Sequence, residues 1–113
     1  MNAVIIGYGN RAKKVWEPAL KGMHINLVAI VDPSPISDFK FKIYKSVEQI
    51  SDLVGEIDFT ILSTPREAHL KVSKILIDYG INHIINSKDL FFTLIDSIQV
   101  LKLSLNKNNI KKD

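Results

Sequence analysis

The sequence predicts an α/β protein, a single domain in which a doubly wound parallel sheet lies between two helical layers. Three observations carry that prediction. Short runs of β-branched and aliphatic residues alternate along the chain with stretches of helical periodicity. The strand-like runs are apolar on both faces, as strands covered by helices on either side must be. Glycines, an Asp and a Thr-Pro pair follow those runs rather than interrupt them. In such a sheet that collects the unusual residues on one edge. A length of 113 residues fits one domain with one buried core.

In chain order, residues 2–6 are rich in apolar and β-branched side chains and end at Gly7, which reads as a buried strand. Residues 10–22 read as a helix, with Ala12, Val15, Trp16, Ala19, Leu20 and Met23 on one face. Trp16 on that face reads as core. Pro18 should remove a hydrogen bond and bend the helix, and Gly22 should end it. Residues 25–31 are a second strand ending at Asp32, and residues 33–42 form a Pro- and Ser-containing loop. Residues 43–45 are a short strand. Ser46 then resembles an N-cap with Gln49 as its capping-box partner, opening a helix that turns Val47, Ile50 and Leu53 inward and stops near Gly55. A strand over 57–62 leads into Ser63, with Thr64 as N-cap and Pro65 at the first helical position. That helix carries Ala68, Val72, Ile75, Leu76 and Tyr79 in one stripe and ends at Gly80. A strand at 83–85 and a helix at 93–105 complete the order, the helix with Leu94, Ile98, Leu101 and Leu105 on one face. Val100 and Leu103 lie near its opposite face, where a partner could cover them.

Composition narrows the function classes. With 46% hydrophobic and 24% charged residues the chain has the balance of a globular protein. It has no cysteine, which excludes disulfides and thiolate metal sites. No apolar run approaches the roughly 18 residues of a membrane span. The first residues lack the charged region of a signal peptide, so a cytoplasmic protein is expected. The net charge of +3 is modest, and part of it comes from Lys107, Lys111 and Lys112. The domain is expected over residues 1–105, with a polar basic tail at 106–113 read as a solvated end and not as a nucleic-acid contact. His24 and His83 are not spaced with carboxylates as metal ligands, and no Ser-His-Asp arrangement is supported.

The most informative stretch follows the first strand. In Gly7-Tyr8-Gly9-Asn10-Arg11-Ala12, small residues fill the three positions of a G-x-G-x-x-G/A fingerprint. The first allows a tight turn out of the strand. The second lets a pyrophosphate approach bare backbone, and the third lets the helix pack close to the strand. The helix start then offers free N–H groups and a partial positive charge to that anion. Asp32 lies 20 residues beyond Ala12, the distance at which an acid accepts hydrogen bonds from a dinucleotide's ribose hydroxyls. The alternative is an Asp before Pro33 whose carboxylate caps its own loop. Asp32 would repel a 2′-phosphate and no Arg directly follows it, so NAD is favoured over NADP. Lys40 and Lys42 stand in the loop that follows.

With residues 63–90 added, the chain resembles the N-terminal domain of the glucose–fructose oxidoreductase / inositol dehydrogenase / rhizopine-catabolism (Gfo/Idh/MocA) family. The resemblance rests on the fingerprint, on Pro18-Ala19-Leu20, on Val31-Asp32-Pro33 and on Thr64-Pro65-Arg66-Glu67-Ala68-His69. It covers about residues 2–105. It implies a Rossmann-like fold and cofactor contacts from Ser63, Thr64, Pro65 and His69 beside those of the glycine turn. His69 has a structural alternative, a helical histidine that supports packing. The family's E-K-P segment, whose lysine assists proton transfer beside the nicotinamide, corresponds here to Ser87-Lys88-Asp89. Lys88 is thereby the acid–base candidate, although Ser87 and Asp89 replace the acid and the proline. An adjacent Asp89 could pair with its ammonium, and the alternative is a surface lysine after a strand.

Family members continue into a second domain that supplies the substrate pocket, whereas one domain is expected here. Two functions follow. One is the dinucleotide-binding domain of an oxidoreductase acting on a sugar or polyol, either a truncated chain or one half of a split enzyme with a second wall from a partner chain or another copy. The other is a non-catalytic module of the same fold that senses a dinucleotide or binds a protein.

Overall fold

The computed structural model describes residues 1–34, 36, 41–81, 83–86 and 98. Five strands form one parallel sheet: β1 (Asn2–Ile6), β2 (Asn26–Val31), β3 (Lys42–Tyr44), β4 (Phe59–Leu62) and β5 (Ile84–Asn86). Their order is β3-β2-β1-β4-β5. The chain builds outward from β1 to β3 on one side, then crosses back to place β4 and β5 on the other. The switch point of this doubly wound sheet falls between β1 and β4.

Alternation along the strands divides the core in two. Ala3, Ile5, Ile30, Phe59 and Ile61 pack with Trp16, Leu20 and Ile98 on one face. Val4, Ile6, Ala29, Val31 and Leu62 pack with Val47, Ile50, Leu53 and Leu76 on the other. Both faces are dry, which explains why the strands read as continuous apolar runs. Trp16 is fully buried, as its place on the apolar face indicates. The helix expected at 93–105 lies outside the described residues except for Ile98, which is helical and fully buried. Lys40 also lies outside them.

The first helical stretch departs from a simple α-helix. A π-helical segment, Ala12–Trp16, runs directly into α1 (Glu17–Gly22). The Glu17 N–H reaches back five residues to the Ala12 carbonyl, and Pro18 then has no N–H to continue either pattern. The widened turn thus lies directly before Pro18. Gly22 does not end the helix by a left-handed turn. Met23 is the C-cap, and His24 takes the left-handed conformation with φ 57°. The Ile25 N–H bonds the Leu20 carbonyl (2.9 Å) and the His24 N–H bonds that of Lys21 (3.1 Å), closing a Schellman motif.

Two other elements differ in kind or boundary. The segment after Ser46 is a 3-10 helix, Val47–Glu56, and not an α-helix. Gln49 behaves as expected, its Oε1 accepting N–H groups of Lys45 (2.7 Å) and Ser46 (3.3 Å). Helix α2 (Arg66–Asp78) begins after Pro65, which occupies the N-cap position itself. Thr64 is therefore not the N-cap. At its other end Gly80 adopts φ 87°, and Gly80 and Ile81 donate to Ile77 (2.9 Å) and Leu76 (2.9 Å), a second Schellman motif.

Candidate dinucleotide site

The sheet register sets the site. Tyr44, Val31, Ile6, Leu62 and Asn86 are partners across the five strands, so all five end on one row. The residues that follow four of them, Lys45, Asp32, Gly7 and Ser63, therefore leave the sheet along a single edge. Fingerprint, acid and Thr-Pro segment converge there as their positions after strands require.

Gly7 is held by geometry that no other residue could meet. Its φ is 92°, and a Cβ placed on it would lie 2.6 Å from the Ser63 carbonyl oxygen and 2.9 Å from the Thr64 nitrogen. The turn is tied down on both sides: the Gly7 N–H donates to the Val31 carbonyl (2.7 Å) and the Ser63 N–H to that of Ile6 (2.7 Å). Gly9 is the opposite case, since a Cβ there would meet no described heavy atom within 4 Å. Its backbone faces open space. Ala12 is fully buried where the helix meets the strand, and Asn10 and Arg11 are exposed at the helix start. The Arg11 guanidinium lies 6.0 Å from the centre of the Trp16 ring.

Tyr8 is turned inward. Its hydroxyl donates to Glu17 Oε1 (3.1 Å), and Lys13 Nζ sits 5.3 Å from its ring centre. The Asp32 carboxylate reaches back to the glycine turn, Oδ2 accepting the Tyr8 N–H at 2.7 Å, while Oδ1 accepts the Ser34 N–H at 2.8 Å. The loop-capping arrangement is present, and the same side chain also joins β2's exit to the fingerprint. Each carboxylate oxygen keeps a further lone pair for a ligand hydroxyl.

His69 is within 2.8 Å of the Thr64 carbonyl through Nε2. A carbonyl only accepts, so Nε2 carries the proton and donates. The histidine thereby fastens the peptide against which Gly7 packs. Thr64 Oγ1 is buried and has no hydrogen-bond partner among the described residues. Lys88 lies outside the described residues.

Beside this edge a cleft of about 290 Å³ opens between the loop after β2, the 3-10 segment and α2. Gly7, Pro33, Ser46, Thr64, Pro65 and Val72 contribute to its walls, with Lys45, Glu48 and Lys71. Of these, Lys45, Glu48 and Lys71 went unrecognised in the sequence. Lys45 could have been suspected from its place after a strand, whereas nothing local distinguishes Lys71 from other helical lysines. Among the described residues no group of three or more His, Asp or Glu side chains could hold a metal ion. No helix among them is long and apolar enough to cross a membrane.

The residues on this edge fit a dinucleotide: an unobstructed glycine backbone at a helix start, with an acid on the neighbouring strand. Together with the strand order they place the chain among the Rossmann-type dinucleotide-binding domains. Comparison with known families gives the particular one. The chain belongs to the Gfo/Idh/MocA oxidoreductase family with the NAD-binding Rossmann fold, whose family model matches residues 1–110.

A comparison with curated proteins finds no match. Among solved structures, the chain is similar to D-galactose-1-dehydrogenase from Rhizobium etli, with 21% identity, TM-score 0.68, and coverage of 94% of this chain and 34% of that one. It is also similar to the WlbA (WbpB) dehydrogenase from Thermus thermophilus in complex with NAD and UDP-GlcNAcA, with 18% identity, TM-score 0.65, and coverage of 80% and 33%. A third is the Rex-family repressor RSP, solved in complex with β-NADH, with 22% identity, TM-score 0.62, and coverage of 98% and 62%. The chain thus spans about a third of the length of these two dehydrogenases.

Proposed function

We propose that the chain holds a nicotinamide dinucleotide along this edge, as the cofactor-binding part of an oxidoreductase. The observation that carries the proposal is the contrast between Gly7, jammed against Ser63, and Gly9, open to an approaching ligand. The pyrophosphate lies over Gly9 and the helix start at Asn10 and Arg11. The ribose hydroxyls donate to Asp32, which makes NAD the cofactor of first choice. Pro33, Thr64 and Pro65 flank the adenosine, and His69 keeps the Thr64 peptide in place. When bound, the dinucleotide supplies a nicotinamide that accepts or donates hydride. Lys88 is the residue of this chain assigned to proton transfer with the substrate. A sugar or polyol is the substrate class, in line with the sugar names carried by two of the similar structures.

Titration of the protein with NADH, followed by nicotinamide fluorescence, tests the binding. Saturation below millimolar cofactor is expected, and no binding at millimolar cofactor overturns the proposal. Asp32→Arg should weaken NADH about tenfold, through the loss of the hydroxyl acceptor and of the Tyr8 N–H partner. An unchanged affinity would reduce Asp32 to a turn residue.

A second reading is a dinucleotide sensor without chemistry, favoured by Ser87 and Asp89 where the family has an acid and a proline. Binding without turnover across a panel of sugars and polyols, with candidate second-domain chains supplied, would support it.

A further inference from the structure

We infer that Glu17 is a positioning residue for the dinucleotide site: by accepting the Tyr8 hydroxyl, it holds the glycine turn in the shape that receives the pyrophosphate. The inference rests on the dinucleotide reading above and names what keeps that site formed before the cofactor arrives.

In that reading the pyrophosphate lies over the Tyr8–Gly9 peptide. A planar peptide takes its direction from the residues on either side of it. Gly9 restrains it little, since glycine has wide backbone freedom and a Cβ there would meet no described heavy atom within 4 Å. Tyr8 carries the restraint instead. Its N–H donates to Asp32 Oδ2 (2.7 Å) and its hydroxyl to Glu17 Oε1 (3.1 Å), so the residue is gripped at both ends. The ring between them is buried in the same core cluster as Ala12 and Trp16. Lys13 closes the arrangement, with Nζ 5.3 Å from the ring centre and its N–H donating to the Gly9 carbonyl (3.1 Å). A turn that is already ordered loses less conformational freedom when its ligand binds.

Glu17 reaches Tyr8 by way of the irregular helix. Its N–H bonds the Ala12 carbonyl five residues back, so one extra residue enters the turn before it. That residue rotates everything beyond it by about 100° relative to an unbroken α-helix. Turns of this π type recur at functional sites. Glu17 does not line the cleft beside the glycine turn, so its influence on the cofactor passes through Tyr8. The alternative is a core tyrosine whose hydroxyl merely finds a surface acceptor. It predicts a change in stability with no change in the cofactor affinity of the folded protein.

The test measures NADH dissociation constants by nicotinamide fluorescence, with urea unfolding of each variant alongside. Tyr8→Phe keeps the ring in the core and removes only the hydroxyl. Glu17→Leu removes the acceptor at a half-buried position. Each should weaken NADH about fivefold, the worth of one hydrogen bond, in protein that urea unfolding shows to be folded. Glu17→Gln keeps an oxygen acceptor and should bring NADH back to within about twofold of the unaltered chain. Tyr8→Phe combined with Glu17→Leu should again be weakened about fivefold, and not about twenty-fivefold, because the two groups act as one contact. If Tyr8→Phe and Glu17→Leu both leave NADH within about twofold, whatever their urea midpoints, the inference is overturned and the dinucleotide reading stands. Losses that multiply in the double variant, or a Gln variant as weak as the Leu variant, have the same consequence. Absence of NADH binding by the unaltered chain overturns the two together.

Discussion

Two glycines two positions apart in one motif do different work. Gly7 is structural: an added Cβ meets the Ser63 carbonyl oxygen at 2.6 Å in a backbone conformation that L-residues avoid. Gly7→Ala should cost about 3 kcal/mol or more, seen as a large shift of the urea midpoint or failure to fold. Gly9 has open space in front of it. Gly9→Val should change stability by less than about 1 kcal/mol yet weaken NADH at least about tenfold, because the added side chain stands where the ligand's phosphates approach. Equal effects at the two positions would contradict this division. Spacing identified both residues, but only the packed structure distinguishes them. Asp32 is similar: its distance from the fingerprint was readable, while its bonds to Tyr8 and Ser34 depend on how the loop after β2 folds back.

At the scale of elements, the helix ends carry matching motifs with unmatched residues. Helix α2 places Gly80 at its left-handed position, whereas α1 places His24 there, with φ 57°. An L-residue in that conformation costs about 1–2 kcal/mol, part of which a glycine returns through the entropy of the unfolded chain. His24→Gly should therefore stabilise the protein by about 0.5–1 kcal/mol, and Gly80→Ala should destabilise it by about 1 kcal/mol, both measured by urea unfolding. The sequence placed the end of α1 at Gly22, its last helical residue, but not the left-handed turn at His24, because glycine is the usual signal for such a turn. The π-helical turn before Pro18 and the 3-10 form of Val47–Glu56 were also not legible. Periodicities of 3.0, 3.6 and more residues per turn cannot be separated over segments this short.

For the molecule as a whole, the central strand holds both cores together. Ile5 is flanked by Ile30 and Ile61 on one face, while Ile6 is flanked by Val31 and Leu62 on the other. Ile98, far along the sequence, is fully buried with Ala3, Ile5 and Trp16. Ile98→Ala should cost about 2–5 kcal/mol if that contact closes the first core layer, and thermal or urea unfolding measures it. A loss under about 0.5 kcal/mol would mean that the residue adds nothing to the core. The same sheet aligns its strand ends, and this is why Lys45, Asp32, Gly7 and Ser63 meet on one edge despite their separation in sequence.

The sequence by itself determined the fold class, the parallel sheet, the glycine turn and the division between buried strands and amphipathic helices. These follow from local periodicity and from residue types with few permitted conformations. The tertiary structure decided what depends on neighbours distant in the chain. It set the contact of Gly7 with Ser63, the turning of the Asp32 carboxylate to the main chain, and the appearance of Lys45 and Lys71 in one cleft. Helical and strand periods report which face a residue occupies. They carry no record of which residues the strand order brings beside it.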